Sequence, residues 1–177
     1  MQTESARKYS MKQRQLIVMR HATANPGRGR DHDRTLTAHG QEQARRVGSA
    51  LRSLGPIPER ILCSSAVRCR ETWQAISAEL ASGVVVDFED DLYNASAESL
   101  LNSLAEIVHE QNILLLAHNP GVSALALELA GGDEESVAHL RAGFDPAAIA
   151  CFEIEGAWST LSAASARLTR FERVPKD

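Results

Sequence analysis

A chain of 177 residues, 44% hydrophobic and 24% charged, is long enough to bury a substantial core within one ordinary domain. Nineteen basic against twenty-three acidic residues leave a net charge of -4, which gives no electrostatic support to a nucleic-acid-binding surface, so any anion site must be local. No apolar run is long enough to span a bilayer, and the opening residues lack the apolar core of a signal peptide, so a cytoplasmic protein without membrane or nucleic-acid partners is expected.

The chain divides into an N-terminal extension over 1–14, expected to be disordered, and one domain over 15–177. Its first ordered stretch, Gln15 to Ala22, is an apolar strand that ends in Arg20 and His21. Thr23 to Arg34, rich in glycine and charge, is a loop. A helix follows, with Thr37 as its N-cap, Ala44, Val47 and Leu51 at helical spacing, and Gly55-Pro56 as its stop. Arg60 to Ser64 is a second strand. It leads through Ser64-Ser65 into a helix that carries Cys69, Trp73, Ile76 and Leu80 on one face. Val84 to Phe88 is a third strand, followed by an acidic connection through Leu92-Tyr93-Asn94 and a helix with Leu100, Leu101, Leu104, Ile107 and Val108.

Asn112 to Ala117 is a fourth strand and ends at His118. After Asn119-Pro120-Gly121, a helix carries Val122, Leu125, Ala126 and Leu129 and ends at Gly131-Gly132. Beyond it, Asp133 to Pro146 is loop with a short helix, and Ala147 to Ile154 and Ala166 to Val174 are strands at a sheet edge. Strands alternating with helices predict a three-layer α/β/α sandwich whose sheet is largely parallel with an antiparallel edge. Cys63, Cys69 and Cys151 fall in no metal-like spacing and are expected to pack as small hydrophobes; Trp73 and Trp158 are expected in the core, and His39 and His109 on helix surfaces.

In a mostly parallel sheet the carboxyl ends of the strands share one edge, where ligands bind. That edge would gather Arg20, His21, Ser64, Ser65 and His118, with Arg68 on the first turn of the following helix and Arg34 from the glycine-rich loop. Guanidinium forks match the oxygens of a phosphate dianion. A neutral imidazole held through one ring nitrogen offers the other as a nucleophile, and arginines around the equatorial oxygens would stabilise an in-line transition state without a metal. His32, flanked by Asp31 and Asp33, is a candidate for a metal site shared with His21 and His118, but the arginines would repel a cation.

Leu16 to Ala22, Asp33-Arg-Thr-Leu-Thr-Ala-His-Gly40, Ser64-Ser-Ala-Val-Arg68 with Thr72, and Leu116-Ala-His-Asn-Pro-Gly121 together resemble, in order and spacing, the histidine phosphatase (phosphoglycerate-mutase-like) superfamily. The short form, without an inserted lid domain, is similar to its SixA-type phosphohistidine phosphatase branch. The resemblance implies that His21 is the phosphorylated nucleophile, that Arg20 and Arg68 hold phosphate oxygens, and that His118 completes the pocket. It implies no metal or other cofactor. Arg34 matches a further arginine of that branch, and Asn119 and the helix start near Gly121 add donors.

One position departs from the pattern. Superfamily members acting on alcohol phosphates place an acidic proton donor where Leu92-Tyr93-Asn94 puts an amide. An imidazole can leave phosphorus as a neutral base, so Asn94 favours a P–N bond, unless Asp90, Asp91 or Glu98 takes the donor role. The expected function is a metal-independent phosphatase acting on phosphohistidine of a protein partner. The alternatives are a small-molecule phosphomonoesterase of the same fold and a catalytically weak phosphate- or phosphoprotein-binding module.

Overall fold

A computed structural model describes residues 13–27, 29–80, 83–131 and 134–174. Most of the extension expected over 1–14 lies outside them, as do Gly132 and Asp133. Strand β1 spans Arg14–Arg20, β2 Arg60–Ser64, β3 Val85–Glu89, β4 Asn112–Ala117, β5 Ile149–Ile154 and β6 Ala166–Glu172. They form one sheet in the order β3-β2-β4-β1-β5-β6. The pairs β1–β4, β2–β3 and β2–β4 are parallel, while β5 and β6 add on antiparallel. The antiparallel edge is therefore two strands wide.

Helix α1 (Ala38–Leu54) and α2 (Val67–Ser77) cover one face, with α3 (Ala97–Ala105), α4 (Gly121–Ala130) and α5 (Glu134–Arg141) associated with the other. Because both faces are covered, the interiors of β1 (Leu16 to Met19) and β4 (Ile113 to Ala117) are continuous apolar runs rather than alternating. Leu16 and Val18 join the core beneath α3 and α4, and Ile17 and Met19 the core beneath α1 and α2. Trp158 and Trp73 are buried in these two cores respectively, as expected, and the Trp158 indole N–H donates to the Glu110 carbonyl at 2.8 Å.

The N-cap of α1 is Thr37, whose hydroxyl accepts from the Gly40 N–H at 2.9 Å. Two glycines let helix starts press against site loops. A Cβ on Gly40 would collide with the Thr23 carbonyl, and one on Gly121 with the carbonyl of Ala95. Helix α3 is shorter than its apolar pattern suggests, ending at Ala105 and leaving Val108 exposed in the turn toward β4. Likewise Leu80 lies past the end of α2, and His109 lies in a turn rather than on a helix.

Candidate active site

The register of the sheet builds the centre of the site. Arg20 pairs with Ala117 across β1 and β4, so the next residue on each strand is a histidine. The rings of His21 and His118 lie 5.1 Å apart between centroids. On the other side of β4, Cys63 pairs with Leu116, which brings Ser64 beside His118. Its hydroxyl lies 2.8 Å from His118 Nε2, and the Cys69 thiol approaches the same nitrogen at 3.5 Å.

His21 is 9% exposed and is held at both ring nitrogens. Nδ1 lies 2.8 Å from the Ala22 carbonyl, which can only accept, so the ring proton sits on Nδ1 and the lone pair on Nε2. Nε2 accepts from Arg68 Nε at 3.2 Å. The segment is fixed further by Thr72, which accepts from the Ala22 N–H at 3.1 Å and donates to the Arg68 carbonyl at 2.6 Å. Burial, reinforced by Arg68, Arg20 and Arg34, pushes His21 down to about 4. Burial and Arg68 push His118 down to about 3. Both imidazoles are therefore neutral at pH 7.

The three arginines and the amide of the pocket are anchored in two ways. Arg20 Nη1 and Asn119 Nδ2 both donate to one backbone carbonyl, that of Phe144, at 2.9 and 3.0 Å. Arg20 Nε, His118 Nδ1 and Asn119 Oδ1 are buried and have no hydrogen-bond partner among the described residues. The second anchor is Asp31, on a single 3-10 turn (Asp31–Asp33) within the glycine-rich loop. Arg68 donates from Nη2 to Asp31 Oδ2 at 2.9 Å and from Nη1 to its backbone carbonyl at 2.7 Å. Arg34 Nη1 reaches Asp31 Oδ1 at 2.9 Å, and the Tyr93 hydroxyl reaches Oδ2 at 2.7 Å. The Tyr93 hydrogen bond, with those from Arg34 and Arg68, holds the Asp31 carboxyl well below the usual carboxylate range.

Of the residues expected at the site, Arg20, His21, Arg68, His118, Arg34 and Asn119 stand together. Asn94 is exposed, with a φ of 55°, and Asp90, Asp91 and Glu98 are exposed too. His32 does not join the two central histidines. Its Nε2 meets the Ser65 hydroxyl at 3.0 Å, and among the described residues no group of three His, Cys, Asp or Glu could hold a metal ion. Burial pushes the Cys69 thiol up to about 12, in keeping with a packing role.

Tyr93 and the Asp31 carboxylate are the site residues that the sequence does not announce. Asp31 enters the sequence reading only beside His32 as a candidate metal ligand, although it stands three positions before Arg34, the spacing at which side chains of a helical turn meet. The Phe144 carbonyl carries no signal, being backbone.

Residues 16–98 match the model of the histidine phosphatase superfamily, branch 1. An uncharacterized protein of Mycobacterium leprae is 32% identical over 166 residues, which cover 89% of this chain and all of that protein. Among solved structures, a protein assigned as the phosphohistidine phosphatase SixA of Nakamurella multipartitia is 29% identical, with a TM-score of 0.82 over 91% of this chain and 96% of that one. Its assigned counterpart in Agrobacterium tumefaciens is 30% identical, with a TM-score of 0.76 over 91% and 98%. With paired imidazoles and arginines at the carboxyl edge of a sheet shared with these proteins, the chain belongs to the histidine phosphatase superfamily, in its SixA-type branch.

Proposed function

We propose that this phosphatase removes phosphate from phosphohistidine on a protein, through a phosphorylated His21 and without a metal ion. The observation that carries this reading is the state of His21: neutral, its proton committed to the Ala22 carbonyl, its Nε2 lone pair beside Arg68. That is the form a nucleophile toward phosphorus requires. Arg20 and Arg68 take the phosphate oxygens. Ser64 Oγ lies 2.8 Å from His118 Nε2, and the tautomer that takes the serine's hydrogen there carries the imidazole proton on the unpartnered Nδ1. His118 thus supplies a further neutral donor. The arginines offset the charge on the equatorial oxygens and His118 donates a hydrogen bond to them, the task a divalent ion performs in other phosphoryl-transfer sites.

The leaving group follows from Asn94, an amide where an acid would serve an alcohol. An imidazole protonated on its second nitrogen leaves as a neutral base and needs no donor there. The solved structures assigned as phosphohistidine phosphatases SixA support the same substrate class.

The test compares turnover of a phosphohistidine-bearing protein with that of sugar phosphates and nitrophenyl phosphate, each with and without chelator. Preferred turnover of the phosphoprotein, unchanged by chelator, is expected, together with acid-labile label from substrate on His21 alone. Chelator-sensitive activity restored by a divalent ion would replace the metal-free mechanism. Full activity in His21→Ala would remove the nucleophile assignment altogether.

A further inference from the structure

We propose that Asp31 is the proton-carrying group of this site, delivering a proton to the departing atom and taking one back from water. The inference rests on the phosphatase reading above and widens it, since it gives the pocket a route to alcohol phosphates that Asn94 alone would argue against.

The geometry begins at Arg68. Nε and Nη2 form one edge of its guanidinium, and that edge faces His21 Nε2 at 3.2 Å and Asp31 Oδ2 at 2.9 Å. The carboxylate is thus one guanidinium edge away from the attacking nitrogen. His21 lies at the buried floor, 9% exposed, whereas the Asp31 side chain is 51% exposed at the mouth. A phosphoryl group attacked by His21 must have its leaving atom directed away from that floor, toward the mouth where Asp31 stands. The other acids nearby are placed otherwise. Asp33 is engaged with Arg30 at 3.0 Å, and Asp90, Asp91 and Glu98, unlike Asp31, make no hydrogen bond to Arg68 or Arg34 among the described residues.

Without substrate, the Asp31 carboxylate satisfies Arg68 and Arg34 as a phosphate would. An arriving dianion competes for those guanidinium donors and places negative charge beside Asp31. Both changes raise its affinity for a proton, which solvent supplies, while the Tyr93 hydroxyl still holds the group at the mouth.

The steps then balance. His21 Nε2 forms a bond to phosphorus as the bond from phosphorus to the substrate's alcohol oxygen breaks. The released electron pair takes the proton of the Asp31 carboxylic acid, leaving a carboxylate. In the second step water attacks the phosphohistidine, its proton returns to Asp31, and the P–N bond to His21 breaks to release phosphate and the neutral imidazole.

The experiment measures kcat/KM for a series of aryl and alkyl phosphates of rising leaving-group basicity, in the unmodified enzyme, in Asp31→Asn and in Asp31→Glu. A shallow dependence is expected for the unmodified enzyme. In Asp31→Asn the loss should grow from a few-fold for nitrophenyl phosphate to about 100- to 1,000-fold for an alkyl phosphate, the range of general acid catalysis. Asp31→Glu should recover part of the alkyl activity. A loss in Asp31→Asn that is equal for every leaving group would overturn the proposal. So would a steep dependence in the unmodified enzyme, a measurement that does not require any variant to fold. Failure to turn over phosphohistidine protein would remove the substrate reading while leaving this dependence intact.

Discussion

The two walls of the pocket hold their arginines by different means. On one wall Arg20 and Asn119 are tied to the Phe144 carbonyl, a backbone atom placed just ahead of β5. On the other, Arg68 and Arg34 are tied to the Asp31 side chain, on a half-exposed loop turn. A carbonyl carries no net charge and is fixed by the chain, so it orients Arg20 without itself competing for an anion, while the Asp145 carboxylate acts on Arg20 through its charge. A carboxylate is itself an anion on a rotatable side chain, and it occupies the donors that a phosphate needs. One wall is prebuilt with polar capacity to spare, the other is closed by an internal substitute for the substrate.

The largest effect should come from Arg68, the residue that joins the walls. Arg68→Ala removes a phosphate donor, the partner of His21 Nε2 and two bonds to Asp31, so kcat/KM should fall by about 1,000-fold or more. Amide exchange over residues 29–35 should rise at the same time, because the loop turn loses its buried anchor. Arg20→Ala removes a donor from the prebuilt wall. A loss of about 100-fold is expected there, with exchange over 29–35 unchanged. Equal loosening of that loop in both variants would erase the distinction between the walls.

A second, smaller effect lies in the pH dependence. His21 and His118 are pushed down to about 4 and 3, against an ordinary value near 6.5. The unfolded chain therefore binds protons first as pH falls. The stability that these groups contribute is fully present above about pH 6.5 and declines as the pH drops from there toward 4. Unfolding free energy measured across that window should have a slope approaching two bound protons, and His118→Gln should lower it by one. A flat profile between pH 6.5 and 4 would mean that the histidines are hydrated rather than buried.

The central site was legible because short motifs fall at strand ends, and the parallel sheet then dictates where those ends meet. Arg20, His21, Ser64 and His118 need only the strand order and register to become neighbours. The Asp31 carboxylate was legible only as a candidate metal ligand beside His32, because a loop has no period from which to deduce the direction of its side chains. Tyr93, next to the Asn94 that drew attention, reaches Asp31 from a loop across the mouth. Val108 continues the apolar spacing of α3 yet lies beyond its end, since the chain must turn at Glu106 to enter β4. Periodicity records which residues favour burial, and here the connection to the next strand prevailed.

The smallest effect isolates what is special about Asp31. Arg30 pairs with Asp33 at 3.0 Å on the same loop, but its side chain is 84% exposed, where solvent screens the attraction. Arg30→Ala should leave the denaturant unfolding midpoint essentially unchanged and kcat/KM within about two-fold for every leaving group. The variant alters the charge of the loop by as much as Asp31→Asn does, yet touches none of the donors on Arg68 or Arg34. Its change is of the opposite sign, so a leaving-group dependence shifted the opposite way from that of Asp31→Asn would mean that the loop's overall charge governs the site. If activity holds while Asp31→Asn fails on basic leaving groups, one carboxylate on the guanidinium edge beside His21 accounts for the difference between the walls.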